Sequence, residues 1–341
     1  MKLINTNDAV GHILCHDITE IVRGEVKHAR FRKGHVVTEA DIPVLLKLGK
    51  DNLYIWEVQD GMIHEDEAVQ YLKKMCFNEH MRASESKEGK IDIYAEIDGL
   101  LKVDIERLFL VNSSDEMMIA TRHNNMPVKA GDKLLGTRII PLVIEESKMI
   151  EVLEKVSEKP ILKLLPYKNL KAGVVTTGNE VFHKRIKDTF TPVIIDKLKV
   201  YGIEVTHHEI SDDNKDNIAK KIEKLIEAGV DMVVCTGGMS VDPDDKTPAA
   251  IKSVAQNIIS YGAPVLPGAM FMLAYTDRGI PIMGLPGCVM YCARTVFDLV
   301  LPRVAAGDPV TKAEISALGH GGLCLECENC TFPECSFGKG A

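Results

Sequence analysis

Buried strand-like segments alternate with amphipathic helices through the second half of the chain, and this alternation restricts the fold more than any other feature. Segment 172–177 has the apolar character of a buried strand, and 190–201 follows it with apolar residues at helical spacing. Segments 203–210 and 230–235 are the next predicted strands, and a strongly periodic helix separates them. Such alternation is typical of a parallel sheet with helices on both faces. The sequence therefore predicts a three-layer α/β/α domain over residues 166–306.

The first half of the chain follows another pattern. Residues 1–60 are predicted to form a small unit of turns, short strands and one helix. Residues 61–165 are predicted to form a mixed, β-rich region that begins with a helix at 65–80. A linker helix at 145–158 then leads to a proline-containing boundary. This half shows no pattern of residues with an evident chemistry.

Charge and hydropathy exclude several classes of partner. The formal net charge of −8 over 341 residues gives no reason to expect nucleic acid or an anionic membrane as the main partner. A hydrophobic content of 45% and a mean hydropathy near zero describe a globular protein. The N-terminus shows no apolar run of signal-peptide length, so we expect a cytoplasmic protein. The longest apolar stretch, 280–306, is interrupted by charged residues and prolines and is not expected to span a bilayer.

A short polar loop follows the first strand of the predicted α/β domain, at the edge where open α/β sheets bind their ligands. It consists of Thr177, Gly178, Asn179 and Glu180. The glycine turn exposes backbone N–H groups that suit a phosphate, and Glu180 offers a carboxylate to a metal or a polar ligand group. Taken alone, such a loop is more often a plain strand-to-helix turn.

A second loop follows the strand at 230–235. It opens with residues that let the backbone approach a ligand or that donate to a phosphate oxygen: Thr236, Gly237, Gly238 and Ser240. Three carboxylates come next within four positions: Asp242, Asp244 and Asp245. Such carboxylates repel one another and favour a cation, most simply Mg²⁺ bound together with a phosphate. Capping of the next helix would need only one of them, so we favour ligand binding.

Two further features lie on the same predicted edge. Asp213 and its neighbour Asp212 precede the periodic helix, where Ser-Asp-Asp is an ordinary N-cap signal that explains them at least as well as a function does. Pro286 and Gly287 form a turn ahead of another predicted helix. A helix N-terminus there would suit an anion, although a plain tight turn fits equally.

The tail at 307–341 holds an uneven share of the nine cysteines. Four of them follow the spacing C-x₂-C-x₂-C-x₄-C: Cys324, Cys327, Cys330 and Cys335. Four thiolates so close in sequence can surround one Zn²⁺ or one 4Fe-4S cluster, and the residues leave both open. Without an export signal, a disulfide framework is less expected. Because the tail is too short for its own hydrophobic core, we expect it to fold around this metal.

The three glycine loops, in this order and on this α/β pattern, resemble the molybdopterin-binding domain. That domain is shared by MoeA-type molybdopterin molybdotransferases, molybdopterin adenylyltransferases and gephyrin. The resemblance covers about residues 172–303. The segment that begins at Ala9 is loosely similar to the amino-terminal part of the molybdotransferases.

The resemblance implies a ligand and a set of roles. Molybdopterin or its adenylate would lie along the glycine loops, with Glu180, Asp213 (or Asp212) and Asp245 as the catalytic acidic residues. The implied reaction is Mg²⁺-assisted cleavage of the phosphoanhydride coupled to molybdate insertion. The resemblance also implies a homodimer, and a molybdoenzyme or another cofactor-synthesis protein as partner.

The chain departs from the molybdotransferase pattern at three places. The family has lysines in a Pro-Gly-Lys-Pro segment, where this chain has uncharged residues at 266–271. The cysteine tail replaces the carboxy-terminal β-domain, and an asparagine that usually follows the first loop is missing. Three functions therefore stay open: a molybdotransferase-like enzyme, a non-catalytic module that binds or delivers the cofactor, and a pyrophosphate hydrolase that acts on another nucleotide. The sequence leaves open whether the chain is an enzyme.

Overall fold

The structure is a computed structural model that describes residues 2–22, 26–55, 60–156 and 159–340. The chain divides into two compact units, each assembled from separate stretches of sequence. The first comprises Met1–Glu96, Val103–Arg122 and Ala130–Lys163; the second comprises Ile97–Lys102, His123–Lys129 and Leu164–Ala341. No helix among the described residues combines the length and the apolar character that crossing a membrane requires.

The strands, in chain order, are β1 (Lys2–Asn5), β2 (Ile18–Val22), β3 (Val26–Phe31), β4 (Asn52–Ile55), β5 (Met62–His64), β6 (Met81–Ala83), β7 (Lys90–Ala95), β8 (Gly99–Val103), β9 (Met117–Thr121), β10 (Met126–Val128), β11 (Lys133–Ile139), β12 (Val143–Glu145), β13 (Leu162–Pro166), β14 (Lys171–Thr177), β15 (Glu204–Ser211), β16 (Met232–Thr236), β17 (Asn257–Tyr261), β18 (Met272–Tyr275) and β19 (Pro281–Leu285). The helices are α1 (Ile42–Lys47), α2 (Glu65–Cys76), α3 (Ile105–Asn112), α4 (Glu146–Val156), α5 (Asn179–Phe182), α6 (Phe190–Lys199), α7 (Lys215–Glu227), α8 (Thr247–Val254), α9 (Val296–Ala306) and α10 (Lys312–Ala317).

The first unit is mixed and β-rich, as predicted. Its largest sheet has the strand order β6-β7-β11-β9, and three strand pairs accompany it: β1 with β4, β2 with β3, and β5 with β12. Helix α2 is shorter than predicted and ends at Cys76, because Phe77 adopts an extended backbone. The predicted helix at 145–158 corresponds to α4; its last two positions, 157 and 158, lie outside the described residues. So do positions 1, 23–25 and 56–59 of the predicted N-terminal segment.

A six-stranded sheet organises the second unit. Its order is β15-β14-β16-β19-β18-β17, and the first four strands run parallel. Strand β18 is antiparallel to β19 and β17 is antiparallel to β18, so the predicted parallel sheet carries an antiparallel edge that the sequence did not indicate. The physical reason is the short connections, because parallel neighbours need a crossover of a dozen or more residues, usually a helix.

Helices cover both faces of this sheet, which confirms the three-layer α/β/α architecture. On one face, α7 and α8 pack against the sheet through apolar residues such as Ile222 and Ile251. On the other face, α6 and α9 bury Ile194, Leu198 and Phe297 against the same strands. Their helical spacing matches the stripes visible in the sequence. The parallel strands thus end at one edge, where their loops collect.

The tail packs on the core of the second unit. Phe337 is 2% exposed and belongs to the same apolar cluster as Phe271 and Phe297. The Leu266 amide donates to the Gly322 carbonyl at 2.9 Å, and the Cys324 amide donates to the Leu266 carbonyl at 2.8 Å. The expectation that the tail has little besides a metal to fold around is therefore wrong. The Phe337 side chain of the tail packs into the apolar core of the α/β domain.

Candidate functional site

A cavity of about 330 Å³ lies at the carboxyl ends of β14, β15 and β16. It brings together predicted site residues from three separate loops. Those that line it are Thr177, Gly178, Glu180, Asp213, Gly237, Gly238, Asp244 and Asp245. The three residues to which the resemblance assigns catalytic roles are therefore in one cavity.

The remaining predicted residues of these loops occupy other places. Ser240 and Asp242 are exposed, and within the described chain neither lines the cavity. Thr236 is fully buried behind it, and its Oγ1 has no hydrogen-bond partner among the described residues. Asn179 belongs to the rim through its backbone N–H, which donates to Asp213.

Asp213 links the first loop to the end of β15. Its Oδ2 accepts a hydrogen bond from the Asn179 backbone N–H at 2.9 Å. The prediction that Ser-Asp-Asp caps α7 is wrong: Ser211 ends the strand, and Asn214 is the N-cap, accepting from the backbone N–H groups of its own helix. Burial raises the pKa of the Asp213 carboxyl; the Asn179 hydrogen bond lowers it, and the nearby Glu180 and Asp244 carboxylates raise it. The net effect is a raised pKa.

The glycine pair brings the β16 loop against the β14 loop. Gly237 has φ of +85°, and a Cβ added there would lie 2.3 Å from the Thr177 carbonyl oxygen. Only glycine permits both this backbone conformation and this close approach. The hydroxyl of Thr247, at the start of α8, donates to the Gly237 carbonyl at 2.9 Å and lies 3.1 Å from the Thr177 hydroxyl. These contacts fix the floor of the cavity.

Five carboxylates line the cavity, but no three of them form a tight cage. Among the described residues, the one group of three or more His, Cys, Asp or Glu side chains with all ligand atoms within 4.8 Å is His64, Glu65 and Asp66, in the first unit. Asp245 instead accepts a hydrogen bond from the Asp242 backbone N–H at 3.3 Å.

Several lining residues were not predicted from the sequence, among them Lys187, Asp188 and Met290. Lys187 supplies a positive charge to the cavity lining, and the basic run at 184–187 was the available signal. Asp188 accepts hydrogen bonds from the Thr191 hydroxyl at 2.5 Å and the Thr176 hydroxyl at 3.2 Å. Burial raises the pKa of Asp188, but these bonds and those from the backbone hold it below its ordinary value. Asp188 therefore orders the segment that carries Lys187.

The third predicted loop does not open a long helix. Gly287–Met290 is one turn of 3₁₀ helix, and α9 begins only at Val296, capped by Thr295. Pro286 is buried and Gly287 is exposed. The anion-binding N-terminus expected at Gly287 is therefore not formed as predicted. Met290 instead reaches the cavity from this turn.

A second cavity, of about 350 Å³, lies between the tail and the loop after Met290. All four tail cysteines line it, together with a fifth cysteine that the prediction did not include: Cys292, Cys324, Cys327, Cys330 and Cys335. All five are free thiols. The turn and the tail, far apart in sequence, therefore form one thiol-lined pocket.

The tight group in the first unit is an ion-pair network. Lys33 Nζ lies 3.0 Å from His64 Nδ1 and 3.1 Å from Asp66 Oδ2. The Lys33 ammonium group therefore already occupies the space between the His64 and Asp66 side chains. Desolvation, reinforced by the neighbouring Asp66 carboxylate, raises the pKa of the buried Glu65 to about 7.

Comparison with known proteins agrees with this arrangement. Residues 173–306 match the family described as "Probable molybdopterin binding domain", and residues 3–57 match a family described as a domain of unknown function. A CinA-like protein of Mycobacterium avium is 38% identical over 77 residues, which are 23% of this chain and 18% of that protein. One from Mycobacterium sp. is 37% identical over 81 residues, covering 24% of this chain and 19% of that protein. This chain thus spans less than a fifth of the length of these curated relatives.

Two solved structures are similar to part of the chain. The molybdopterin biosynthesis enzyme MoaB of Thermus thermophilus is 23% identical, covers 41% of this chain and 98% of its own, and gives a TM-score of 0.36. The tungsten cofactor synthesizing protein MoaB of Pyrococcus furiosus is 22% identical, covers 40% of this chain and 93% of its own, and gives a TM-score of 0.33. The family match covers the parallel strands and the three loops that line the cavity. The α/β part of this chain, residues 173–306, is therefore similar to the family described as "Probable molybdopterin binding domain".

Proposed function

We propose that the chain is a molybdotransferase-like enzyme of molybdenum cofactor biosynthesis that binds adenylated molybdopterin in the cavity at the carboxyl ends of β14–β16. One observation carries this proposal: Glu180, Asp213 and Asp245 line the same cavity as the glycine loops. The family match supports the choice of a pterin. Molybdate would be the second substrate.

The phosphate groups of the ligand would lie between Thr177, Gly237 and Lys187. The Thr177 hydroxyl and the close backbone of the glycine loop provide a polar floor, and Lys187 provides the positive charge that a diphosphate requires. This lysine offsets, in part, the loss of the family's lysines at 266–271. Because it is exposed, it can move with the ligand.

The carboxylates fit a magnesium ion, as their oxygen donors are of the type that Mg²⁺ prefers. Glu180, Asp244 and Asp245 would hold the ion. Asp242 is exposed and does not line the cavity among the described residues, so it would not contact the ion directly. Mg²⁺ usually keeps several waters and needs only one or two carboxylates besides phosphate oxygens, so a wide arrangement suffices. When bound, the ion supplies charge neutralisation at the phosphoanhydride.

Asp213 would accept a proton from the attacking water. Its carboxylate is held by the Asn179 backbone N–H at 2.9 Å, which fixes its orientation. Its raised pKa brings its basicity closer to neutral pH than that of an ordinary aspartate. Such positioned general bases contribute a rate factor of roughly 10²–10⁴.

One feature of the cavity favours a second candidate, a pyrophosphate hydrolase acting on another nucleotide. Five carboxylates and one lysine line the cavity, a balance that repels a free oxyanion such as molybdate but suits a diphosphate carrying Mg²⁺. A non-catalytic module that delivers the cofactor to a molybdoenzyme would keep the glycine loops and need none of the carboxylates. The assembly of this chain as a homodimer belongs to the proposal as well.

The deciding experiment supplies purified protein with adenylated molybdopterin, Mg²⁺ and molybdate. Release of AMP together with formation of molybdenum cofactor is the expected result. Binding without AMP release would contradict the enzyme and leave the delivery module. AMP release without molybdate insertion, or selective hydrolysis of a nucleotide sugar or dinucleotide, would instead favour the hydrolase.

A further inference from the structure

The thiol-lined cavity joins two separate parts of the chain. Cys324, Cys327 and Cys330 form a closely spaced trio on the tail, while Cys292 lies in the loop between the 3₁₀ turn and α9. The amide of Cys292 donates to the Cys288 carbonyl at 2.9 Å, which fixes the loop locally. The Cys324 amide, bonded to the Leu266 carbonyl, fixes the start of the trio. Both segments are therefore anchored to the same unit.

The loop and the trio face the same cavity. Cys292 and Arg294 of the loop line it, as do Cys324, Cys327 and Cys330 of the tail. The Arg294 guanidinium hydrogen-bonds to Cys330. The loop that carries Cys292 thus reaches the tail at Cys330.

Arg294 is held in place by its other contacts. Its Nη1 donates to Asp298 Oδ1 at 3.0 Å, and its guanidinium lies 5.0 Å from the centre of the Phe332 ring. Arg294 thus holds a positive charge beside Cys330, which would offset the negative charge that a thiolate-bound metal centre carries.

The cysteine spacing favours one metal type. A usual zinc ribbon separates its two cysteine pairs by a dozen or more residues, whereas the C-x₂-C-x₂-C run at 324–330 is the spacing of cluster-binding ferredoxins. Cys292, remote in sequence, lines the same cavity of about 350 Å³ as this run.

We propose that Cys292, Cys324, Cys327 and Cys330 ligate an iron–sulfur cluster of the 4Fe-4S class. The C-x₂-C-x₂-C run supplies three ligands, and a cysteine remote in sequence supplies the fourth, as closely spaced runs of this kind require in two-cluster ferredoxins. Cys335 lines the same cavity, and the proposal gives it no ligand role. The cluster would tie the tail to the turn that carries Met290.

The test begins with the full chain purified without oxygen, or reconstituted with Fe²⁺ and sulfide under reducing conditions. We expect a brown protein with about four iron and four sulfide per chain. A colourless protein with one equivalent of zinc, or with no metal after reconstitution, would overturn the cluster. No pterin is present in this measurement, so its outcome is independent of the AMP-release assay.

Single variants then identify the fourth ligand. Cys292→Ser and Cys292→Ala should lose most of the bound iron, as Cys327→Ser does, while Cys335→Ser should keep the wild-type content. Cys288→Ser is the matched control, because Cys288 is partly buried four residues earlier in the chain and is outside the cavity lining among the described residues. Cooperative thermal unfolding of each metal-free variant, compared with metal-free wild type, verifies folding. Full iron content in the Cys292 variants, or equal loss in Cys335→Ser, would overturn the assignment of Cys292.

Discussion

Met290 and Tyr291 are neighbours in the chain, yet they line different cavities. Met290 faces the cavity at the carboxyl ends of the parallel strands, and Tyr291 faces the thiol-lined cavity. Consecutive Cα atoms lie about 3.8 Å apart, so one peptide unit separates the edges of the two sites. Any movement of the 3₁₀ turn Gly287–Met290 therefore changes the walls of both cavities. A pterin in one and a metal in the other would share this backbone.

Replacing the proposed base should remove catalysis without unfolding the protein. Asp213→Asn keeps the shape of the side chain and an oxygen that can accept from the Asn179 N–H, but it cannot take up a proton. We expect AMP release from adenylated molybdopterin to fall about 100-fold or more. Steady-state kinetics should show the loss mainly in kcat.

Asp212→Asn is the matched control for this variant. Asp212 accepts hydrogen bonds from the backbone N–H of Asn214 and the side chain of Asn217, and within the described residues it does not line the cavity. Its replacement should leave kcat within a factor of about two of wild type. Equal activity in both variants would remove Asp213 from the reaction.

Gly237→Ala should destabilise the second unit more than a glycine-to-alanine change in a free turn. The added Cβ would lie 2.3 Å from the Thr177 carbonyl oxygen, on a backbone with φ of +85°. The left-handed conformation costs about 1–2 kcal/mol, and the overlap about 1–3 kcal/mol more. Urea unfolding should therefore show a loss of about 3 kcal/mol.

Gly229→Ala separates the two effects. Gly229 has φ of +83°, and no heavy atom lies within 4 Å of an added Cβ. Only the conformational cost of about 1–2 kcal/mol should remain. If both variants lose the same free energy of unfolding, the close approach of the Gly237 backbone to Thr177 does not require glycine.

The stability of the first unit should depend on the protonation of Glu65. Burial, together with Asp66, raises its pKa from 4.5 to about 7, so the folded state holds a proton that the unfolded state releases. This contribution is fully present below pH 4.5 and is lost as the pH rises to about 7. Because the side chain is partly solvated, we expect an effect of about 1–3 kcal/mol.

Glu65→Gln isolates this group from the other titrating side chains. The free energy of unfolding of the variant, relative to wild type, should increase between pH 4.5 and about pH 7 and then level off. Denaturant unfolding at several pH values measures it. A constant difference across this range would show that Glu65 is not protonated in the folded unit.

The tail should stabilise the α/β domain through its core. Phe337→Ala removes a side chain that is 2% exposed within the main apolar cluster, and such truncations cost about 3–5 kcal/mol. Phe182→Ala, at 44% exposure, should change stability by less than about 0.5 kcal/mol. An unchanged midpoint for Phe337→Ala in denaturant would mean that the tail does not share this core.

Several site features followed from the sequence because they depend on local chemistry. The glycine loop at 237–238 could be recognised because its backbone conformation favours glycine. The apolar stripes of α6 and α7 followed from helical periodicity, and they determined the two faces of the sheet. The placement of Glu180 and Asp245 on one edge followed from the rule that parallel strands end together.

Other features were ambiguous in the sequence. Asp213 had the signature of a helix cap, because Ser, Asp and Asn are all preferred N-cap residues. The sequence therefore did not show that Asn214 is the residue that caps the helix. Only the position of the first loop beside β15 shows that Asp213 accepts from Asn179 instead. The antiparallel edge of the sheet was ambiguous because an apolar run is alike in a parallel and in an antiparallel strand. The short connections decide the strand direction there.

The sequence by itself therefore determined the layers, the ligand-binding edge and the cysteine spacing, because periodicity, glycine conformation and ligand spacing act over a few residues. The tertiary structure decided which side chains meet across long separations. Lys187 enters the first cavity, and Cys292 joins the tail cysteines some thirty residues later in the chain. The tail also uses the core of the α/β domain through Phe337. These contacts depend on how whole elements pack, and packing is a property of the assembled core that no local pattern contains.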